Sequence, residues 1–152
     1  MRIIAGLAKG SILAVPRGDQ VRPTSDRVRE AVFSSLGARV LGAVVLDLFA
    51  GSGSLGLEAA SRGASRVVFV ENARASIAAL EQNIAAYQRN RDAGCPFQIE
   101  RASVEDFLRH GTDTRYDLIF ADPPYGPFAQ ELLDHPTLPD LIKPDGLLVL
   151  ES

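Results

Sequence analysis

Four consecutive residues, Asp122-Pro123-Pro124-Tyr125, stand where the apolar run "YDLIFA" gives out. Proline has no amide to donate to a sheet ladder, so a strand over this run ends near Asp122. A carboxylate, two residues of fixed φ and an aromatic ring then share one strand tip. Such a set suits an exocyclic amine on a nucleobase. The lone pair of that nitrogen is delocalised into the ring, which makes it a poor nucleophile. Two acceptors holding both its N–H groups favour a pyramidal nitrogen and aim the lone pair at an electrophile. The Asp122 side chain and the Pro123 carbonyl are the candidate acceptors, and the paired prolines limit how that carbonyl points. Tyr125 offers a flat face to a base rotated out of its stack. Catalysis here is orientation and electrostatic preorganisation, with the lost proton passing through Asp122 or to water. The bland alternative is a proline-rich turn with a packed tyrosine. Average residue usage puts this tetrapeptide in a chain of such length by chance about once in a thousand.

A second constellation lies upstream in "DLFAGSGSLG", where Gly51, Gly53 and Gly56 follow the G-x-G-x-x-G pattern between a strand and a helix. Alone the pattern is weak, because glycines are common in any strand-to-helix turn. Glu71 strengthens it. That residue ends the next apolar run, 18 positions past Gly53, where an acidic side chain accepts hydrogen bonds from ribose hydroxyls. Both a dinucleotide and S-adenosylmethionine carry such a ribose. A dinucleotide also sets its pyrophosphate against the helix N-terminus, and Asp47, four residues before Gly51, would repel it. The same carboxylate suits a ligand with an ammonium and a sulfonium, whose own carboxylate can face the helix N-terminus. Asp47 favours the methyl donor.

These residues need a scaffold, and from residue 43 onward strand and helix patterns alternate. Strand candidates are "AVVLDLFA", "RVVFVE", "FQIERA", "YDLIFAD" and "LLVLE"; helices are expected over residues 54–62, 73–89, 104–109 and 128–133. In the long second helix Ile77, Leu80, Ile84 and Tyr87 share one face. Near-continuous apolar strands between amphipathic helices imply a parallel sheet covered on both faces. Right-handed crossovers make it a doubly wound α/β fold with ligands at the carboxyl ends of its strands, the fourth strand beside the first. Ahead of it, residues 1–21 read as an extended hairpin, "RIIAGL" and "SILAVP" around "AKG". "RPTSD" then opens a helix over 26–36, with Thr24 or Ser25 as N-cap and Val28, Ala31, Val32, Ser35 and Leu36 facing inward. The expected organisation is a basic hairpin-and-helix extension over 1–38 and a ligand-binding domain over 39–152.

Length and composition agree. A chain of 152 residues, 46% apolar and 23% charged, buries roughly 70% of its unfolded surface as one domain. No apolar run approaches the roughly 18 residues of a membrane span, and "MRIIAGLAKG" lacks a signal-peptide core. The single cysteine, Cys95, fits a reducing, cytoplasmic setting and has no His or Cys cluster around it. No metal site is expected, with His110 and His135 reading as surface or loop residues. The net charge of −3 hides an asymmetry. Residues 1–30 hold six basic and three acidic side chains, a surplus of three, so the remainder sums to minus six. A basic arm on an acidic body points to an anionic partner.

"DLFAGSG" followed by "DPPY" is the paired signature of S-adenosylmethionine-dependent amino-methyltransferases acting on nucleic acids. With "RIIAG", "KG" and "RPTSDRVREAVF", the whole chain resembles the RsmD family, bacterial enzymes that methylate the N2 amine of a guanine in 16S ribosomal RNA. The resemblance implies a Rossmann-like methyltransferase fold with Asp122, Pro123, Pro124 and Tyr125 as the catalytic motif. It implies cofactor contacts from Asp47, Gly51, Ser52, Gly53, Glu71, Asn72, Ser103 and Val104. Lys9, Arg22, Thr24 and Arg27 are the implied RNA contacts, the N-terminal arm with Arg22 and Thr24 meeting RNA or closing over the donor, and the partner is 16S rRNA within the small subunit or an assembly intermediate. The chain departs from the family in two places. Ser103 stands where many relatives carry Asp or Asn. Two further strands normally follow "LLVLE", so the expectation is a chain shortened at its C-terminus, its last strand an apolar edge prone to pairing or marginal stability.

The residues leave three other readings open: an adenine-N6 methyltransferase on DNA, an NAD-dependent oxidoreductase, and an RNA-binding module with a dead active site. Asp47 and the unexplained Asp-Pro-Pro-Tyr weigh against the oxidoreductase. The absence of an obvious target-recognition domain weighs against sequence-specific DNA, favouring a substrate recognised by shape.

Overall fold

The structure is a computed structural model that describes residues 1–16, 25–89 and 94–151. Five strands form one wholly parallel sheet: β1 (Val44–Leu48), β2 (Arg66–Glu71), β3 (Phe97–Arg101), β4 (Tyr116–Ala121) and β5 (Ile142–Leu150), in the order β3-β2-β1-β4-β5. Helices α1 (Asp26–Leu36), α2 (Ser54–Ser61), α3 (Arg74–Arg89), α4 (Val104–His110), α5 (Phe128–Asp134) and α6 (Leu138–Leu141) complete it, with a 3-10 turn at Gly37–Val40. This is the doubly wound α/β plan expected from the strand–helix alternation, with β4 beside β1.

Alternation along each strand explains why both faces are covered. Val45, Val67, Phe69, Leu118 and Phe120 join one core cluster with Phe33, Leu57 and Leu80 from α1, α2 and α3. Their neighbours Leu46, Leu48, Val68, Val70 and Ile119 point the other way and pack with Leu108, Leu132 and Leu141. Each such fully buried side chain contributes about 1.5–3 kcal/mol of transfer free energy.

Several expectations needed correction. The N-terminal hairpin is present but does not run as two continuous strands: Arg2 and Ile12 form an antiparallel bridge, and the Ile3 and Leu13 amides donate across it to the Ser11 and Met1 carbonyls, each at 2.9 Å, while its expected end at 17–21 lies outside the described residues. Four other donors of its first half are taken up by α2. The amides of Ile4 and Ala5 donate to the Glu58 carboxylate (2.8 and 3.1 Å), that of Leu7 to the Ser61 carbonyl (2.8 Å) and that of Ala8 to Ser61 Oγ (2.9 Å). Gly6 makes this approach feasible: a Cβ there would sit 1.8 Å from the Ser61 carbonyl oxygen, and its φ is +87°. In α1 the bounds and the Ser25 cap are as expected, with Ser25 Oγ accepting from the Val28 amide at 3.2 Å. The inward face is rotated, however. It is Arg29, Phe33 and Leu36 that are buried, while Val28, Ala31 and Ser35 are exposed. The cause is Glu58, which gives the Arg29 guanidinium a buried partner at 3.0 Å, so a cation holds an inward position that apolar periodicity assigns to a hydrophobe.

β5 begins at Ile142, five residues ahead of the expected "LLVLE". It carries Pro144 and Gly146, and its pairing with β4 slips between Tyr116 and Leu118, as a residue without an amide donor requires. β5 forms one edge of the sheet. Among the described residues no helix is long and apolar enough to cross a membrane.

Candidate active site

The strand order reverses direction between β1 and β4, and at such a switch point the loops after the two strands part and leave a crevice. A cavity of about 790 Å³ opens there. Register fixes its floor: Asp47 lies opposite Phe120, and Leu48 opposite Ala121, so the glycine loop and Asp122 leave neighbouring strands at the same level. The Glu151 amide donates to the Ala121 carbonyl at 2.9 Å, which holds the end of β4 just before Asp122.

Asp47, Gly51, Ser52, Glu71, Asn72, Ser103 and Val104 line the cavity, and so do Asp122, Pro123, Pro124 and Tyr125. Two motifs 75 positions apart in sequence, measured from Asp47 to Asp122, therefore share one space. Gly53 is elsewhere. It caps α2 in the left-handed region, and a Cβ there would meet Leu80 Cδ1 at 2.4 Å; at Gly56 the Phe69 ring would stand equally close. These two glycines bring α2 against the sheet, whereas Gly51, at φ +58°, faces open space. Lys9 and Arg27 are exposed and do not line the cavity; Arg22 and Thr24 lie outside the described residues.

Glu71 organises the loop. Its Oε1 accepts from the Gly51 amide at 2.8 Å, and its Oε2 accepts from the amides of Asn72 and Ala73 at 2.9 Å. Ser103 is the N-cap of α4, its Oγ accepting from the Asp106 amide at 3.0 Å. Ser, Asp and Asn all present an oxygen at the reach an N-cap requires, so Ser103 meets the capping demand as an acidic or amide side chain would. Asp47 is the anomaly. It is 1% exposed; its Oδ2 accepts from the Gly56 amide at 3.0 Å, and its Oδ1 has no hydrogen-bond partner among the described residues. Burial pushes its pKa well above the ordinary carboxylate range, the Gly56 amide opposes this, and the charges of Asp122 and Glu71 add to it. A buried acceptor of this kind is costly until something cationic or donating reaches it.

Sequence reasoning missed Phe49, Phe128, Glu131 and Pro16, which also line the cavity. Phe49 has φ +56°, rare for a residue with a side chain, a conformation worth roughly 1–3 kcal/mol of strain. Its ring meets that of Phe128 edge-on, centroids 6.2 Å apart. Phe49 sits inside "DLFAGSG" and was visible there; nothing in the sequence pairs it with Phe128. Among the described residues no cluster of His, Cys, Asp and Glu could hold a metal ion. Burial raises the Cys95 thiol to about 11, which leaves it un-ionised at neutral pH.

The chain matches the family model described as Conserved hypothetical protein 95 over residues 1–152. It is 34% identical to ribosomal RNA small subunit methyltransferase D of Haemophilus influenzae, across 100% of this chain and 78% of that protein. It is 36% identical to YlbH of Bacillus subtilis, across 99% of this chain and 82% of that one. A solved structure from Thermus thermophilus, described as a hypothetical protein, superposes with a TM-score of 0.79 at 33% identity, covering 99% of this chain and 84% of that chain. The paired motifs, the five-stranded parallel sheet and the match along the whole chain agree, and the chain belongs to the Conserved hypothetical protein 95 family, the RsmD family of S-adenosylmethionine-dependent methyltransferases.

Proposed function

We propose that this chain methylates the N2 amine of a guanine in 16S ribosomal RNA, with Asp122, Pro123, Pro124 and Tyr125 as its catalytic motif. The observation that carries the reading is the shared cavity, in which an orphaned buried carboxylate oxygen and the Asp-Pro-Pro-Tyr strand tip meet. S-adenosylmethionine, when bound, supplies an electrophilic methyl group on a sulfonium. Asp47 offers Oδ1 to its ammonium, Glu71 retains one lone pair, on Oε1, for a ribose hydroxyl beyond its three amide bonds, and the Gly51, Ser52, Asn72, Ser103 and Val104 wall encloses the rest. Asp122 and the Pro123 carbonyl take the two N–H groups of the target amine, and the exposed Tyr125 ring receives the base. The basic surplus of the first thirty residues supports Lys9, Arg22, Thr24 and Arg27 as phosphate contacts. The name of the Haemophilus relative supports small-subunit RNA as the substrate.

The test offers a methyl-labelled donor with undermethylated small ribosomal subunits, free ribosomal RNA and DNA, followed by digestion to nucleosides. Label in N2-methylguanine from the ribosomal substrates is the expected result. Label in N6-methyladenine would transfer the same chemistry to another substrate, and an absence of donor binding would refute the reading.

Asp47 gives a second test. Its folded pKa stands above its unfolded value, so the native state holds the proton more tightly. Its contribution to the stability of the ligand-free protein is therefore most favourable at low pH and is lost as pH rises from the ordinary carboxylate range through the raised value. Donor affinity moves oppositely, because the ammonium pairs with the carboxylate. Asp47→Asn is expected to weaken S-adenosylhomocysteine binding by about ten-fold or more and to flatten the pH dependence of its Kd. Calorimetry between pH 5 and pH 8 reads both; a Kd unchanged by the substitution contradicts the ammonium contact.

A further inference from the structure

Asn83 lies on the inner side of α3, 3% exposed, and its amide joins segments distant in sequence. Nδ2 donates to the Ser52 carbonyl and to the Ala14 carbonyl, each at 2.9 Å, while Oδ1 accepts from the Ala14 amide at 2.8 Å. Both side-chain N–H groups and the oxygen are thus engaged, and the two hydrogen bonds exchanged with Ala14 copy the pairing of a strand neighbour. Ser52 belongs to the glycine loop, and Pro16, two residues beyond Ala14, forms the facing part of the same cavity wall. Asparagine alone satisfies these demands at this reach. Aspartate lacks the donors, leucine lacks both functions, and glutamine is one methylene too long.

We propose that Asn83 is a positioning residue for the methyl donor: it fixes the N-terminal arm as one wall of the cavity and ties that wall to the Ser52 loop. Donor binding and arm docking then reinforce each other, since each is measured against the same three hydrogen bonds. The inference rests on the cavity being the donor site. A purely structural role for Asn83 is separable from this one, because other α3 residues hold the helix on the sheet. Tyr87, for example, is buried with its ring edge-on to Phe97 at 5.3 Å and is not part of the cavity wall.

The experiment measures S-adenosylhomocysteine binding by calorimetry in the wild-type chain, Asn83→Ala and Tyr87→Leu, at a temperature where all three are folded. Asn83→Ala is expected to raise Kd by about ten-fold, through the loss of buried hydrogen bonds at the loop. Tyr87→Leu, which removes the edge-on contact with Phe97 and touches none of the three Asn83 hydrogen bonds, is expected to stay within about two-fold. In turnover the same split recurs: the KM for the donor rises with Asn83→Ala while kcat holds. If Asn83→Ala does not fold, Asn83→Asp keeps the volume and turns a carboxylate toward the Ser52 and Ala14 carbonyls, with the same expected loss. A Kd within two-fold of wild type in the Asn83 variant, or an equal loss in Tyr87→Leu, overturns the inference while leaving the donor site standing. Failure of the wild-type chain to bind overturns the donor reading itself, and this inference with it.

Discussion

Asp122→Ala is expected to lower kcat for methyl transfer by about 10³-fold and to leave the Kd for S-adenosylhomocysteine within a few-fold. The asymmetry follows from position. Asp122 leaves β4 at the level where Leu48 ends β1 and lines the cavity, but its proposed work is on the target amine. Removing one of two acceptors lets the amine nitrogen relax toward its planar, unreactive form and frees it to turn away from the methyl group. Nothing comparable is lost on the donor side. The Asp122 charge is among the causes that raise the Asp47 pKa, so its removal favours ionised Asp47 and, with it, the proposed ammonium contact. Asp122→Asn keeps one acceptor oxygen and is expected to lose less, about 10²-fold. Single-turnover rates, Kd values and thermal melts on the three proteins check this together. Unchanged turnover would remove Asp122 from the chemistry, and a lost donor site with normal folding would move it to the cofactor.

The strands were legible because a parallel sheet buried on both faces demands apolar runs, and β2 in particular carries that demand at every position from Val67 to Val70. That two distant motifs were worth bringing together, as the shared cavity wall does, was legible for a related reason. Glycines, prolines and carboxylates at strand ends have few structural uses, so their types and order say much. Three features escaped the sequence because each depends on a partner far along the chain. Arg29 reads as a surface residue until Glu58 is beside it. Gly53 shows no packing role until Leu80 fills the space that a side chain would need. Asn83 reads as a polar interruption of an amphipathic helix until Ala14 and Ser52 converge on it. Periodicity reports which face is apolar, and it says nothing of a buried polar group whose partners are 29 to 69 positions away.

Glu58 exemplifies that blindness and carries the largest expected effect on stability. It is fully buried on α2, and its two oxygens accept from four donors. Oε1 takes the Ile4 amide and Arg29 Nη1, at 2.8 and 3.0 Å; Oε2 takes the Ala5 amide and Arg62 Nε, at 3.1 and 2.8 Å. Arg29, equally buried, also donates to the Arg2 carbonyl and to Asp26. Glu58→Ala therefore leaves a buried guanidinium without its buried counter-charge and two arm amides without acceptors. Breaking such a pair from one side costs about 3–5 kcal/mol, which in a domain of this size lowers Tm by on the order of 10 °C. Loss should begin at the arm, so trypsin is expected to cut after the exposed Lys9 well below the global transition. A double variant separates the two contributions. Replacing Glu58 and Arg29 together by leucine removes the unpaired charge, and where an ion pair is all that is at stake such a swap is close to neutral. Here the Ile4 and Ala5 amides and Arg62 Nε are still left without their acceptor, so the double variant should recover only part of the lost stability and keep the early cleavage at Lys9. Full recovery would mean that the carboxylate serves Arg29 alone and that the arm is held by its contacts with Ser61 and Asn83.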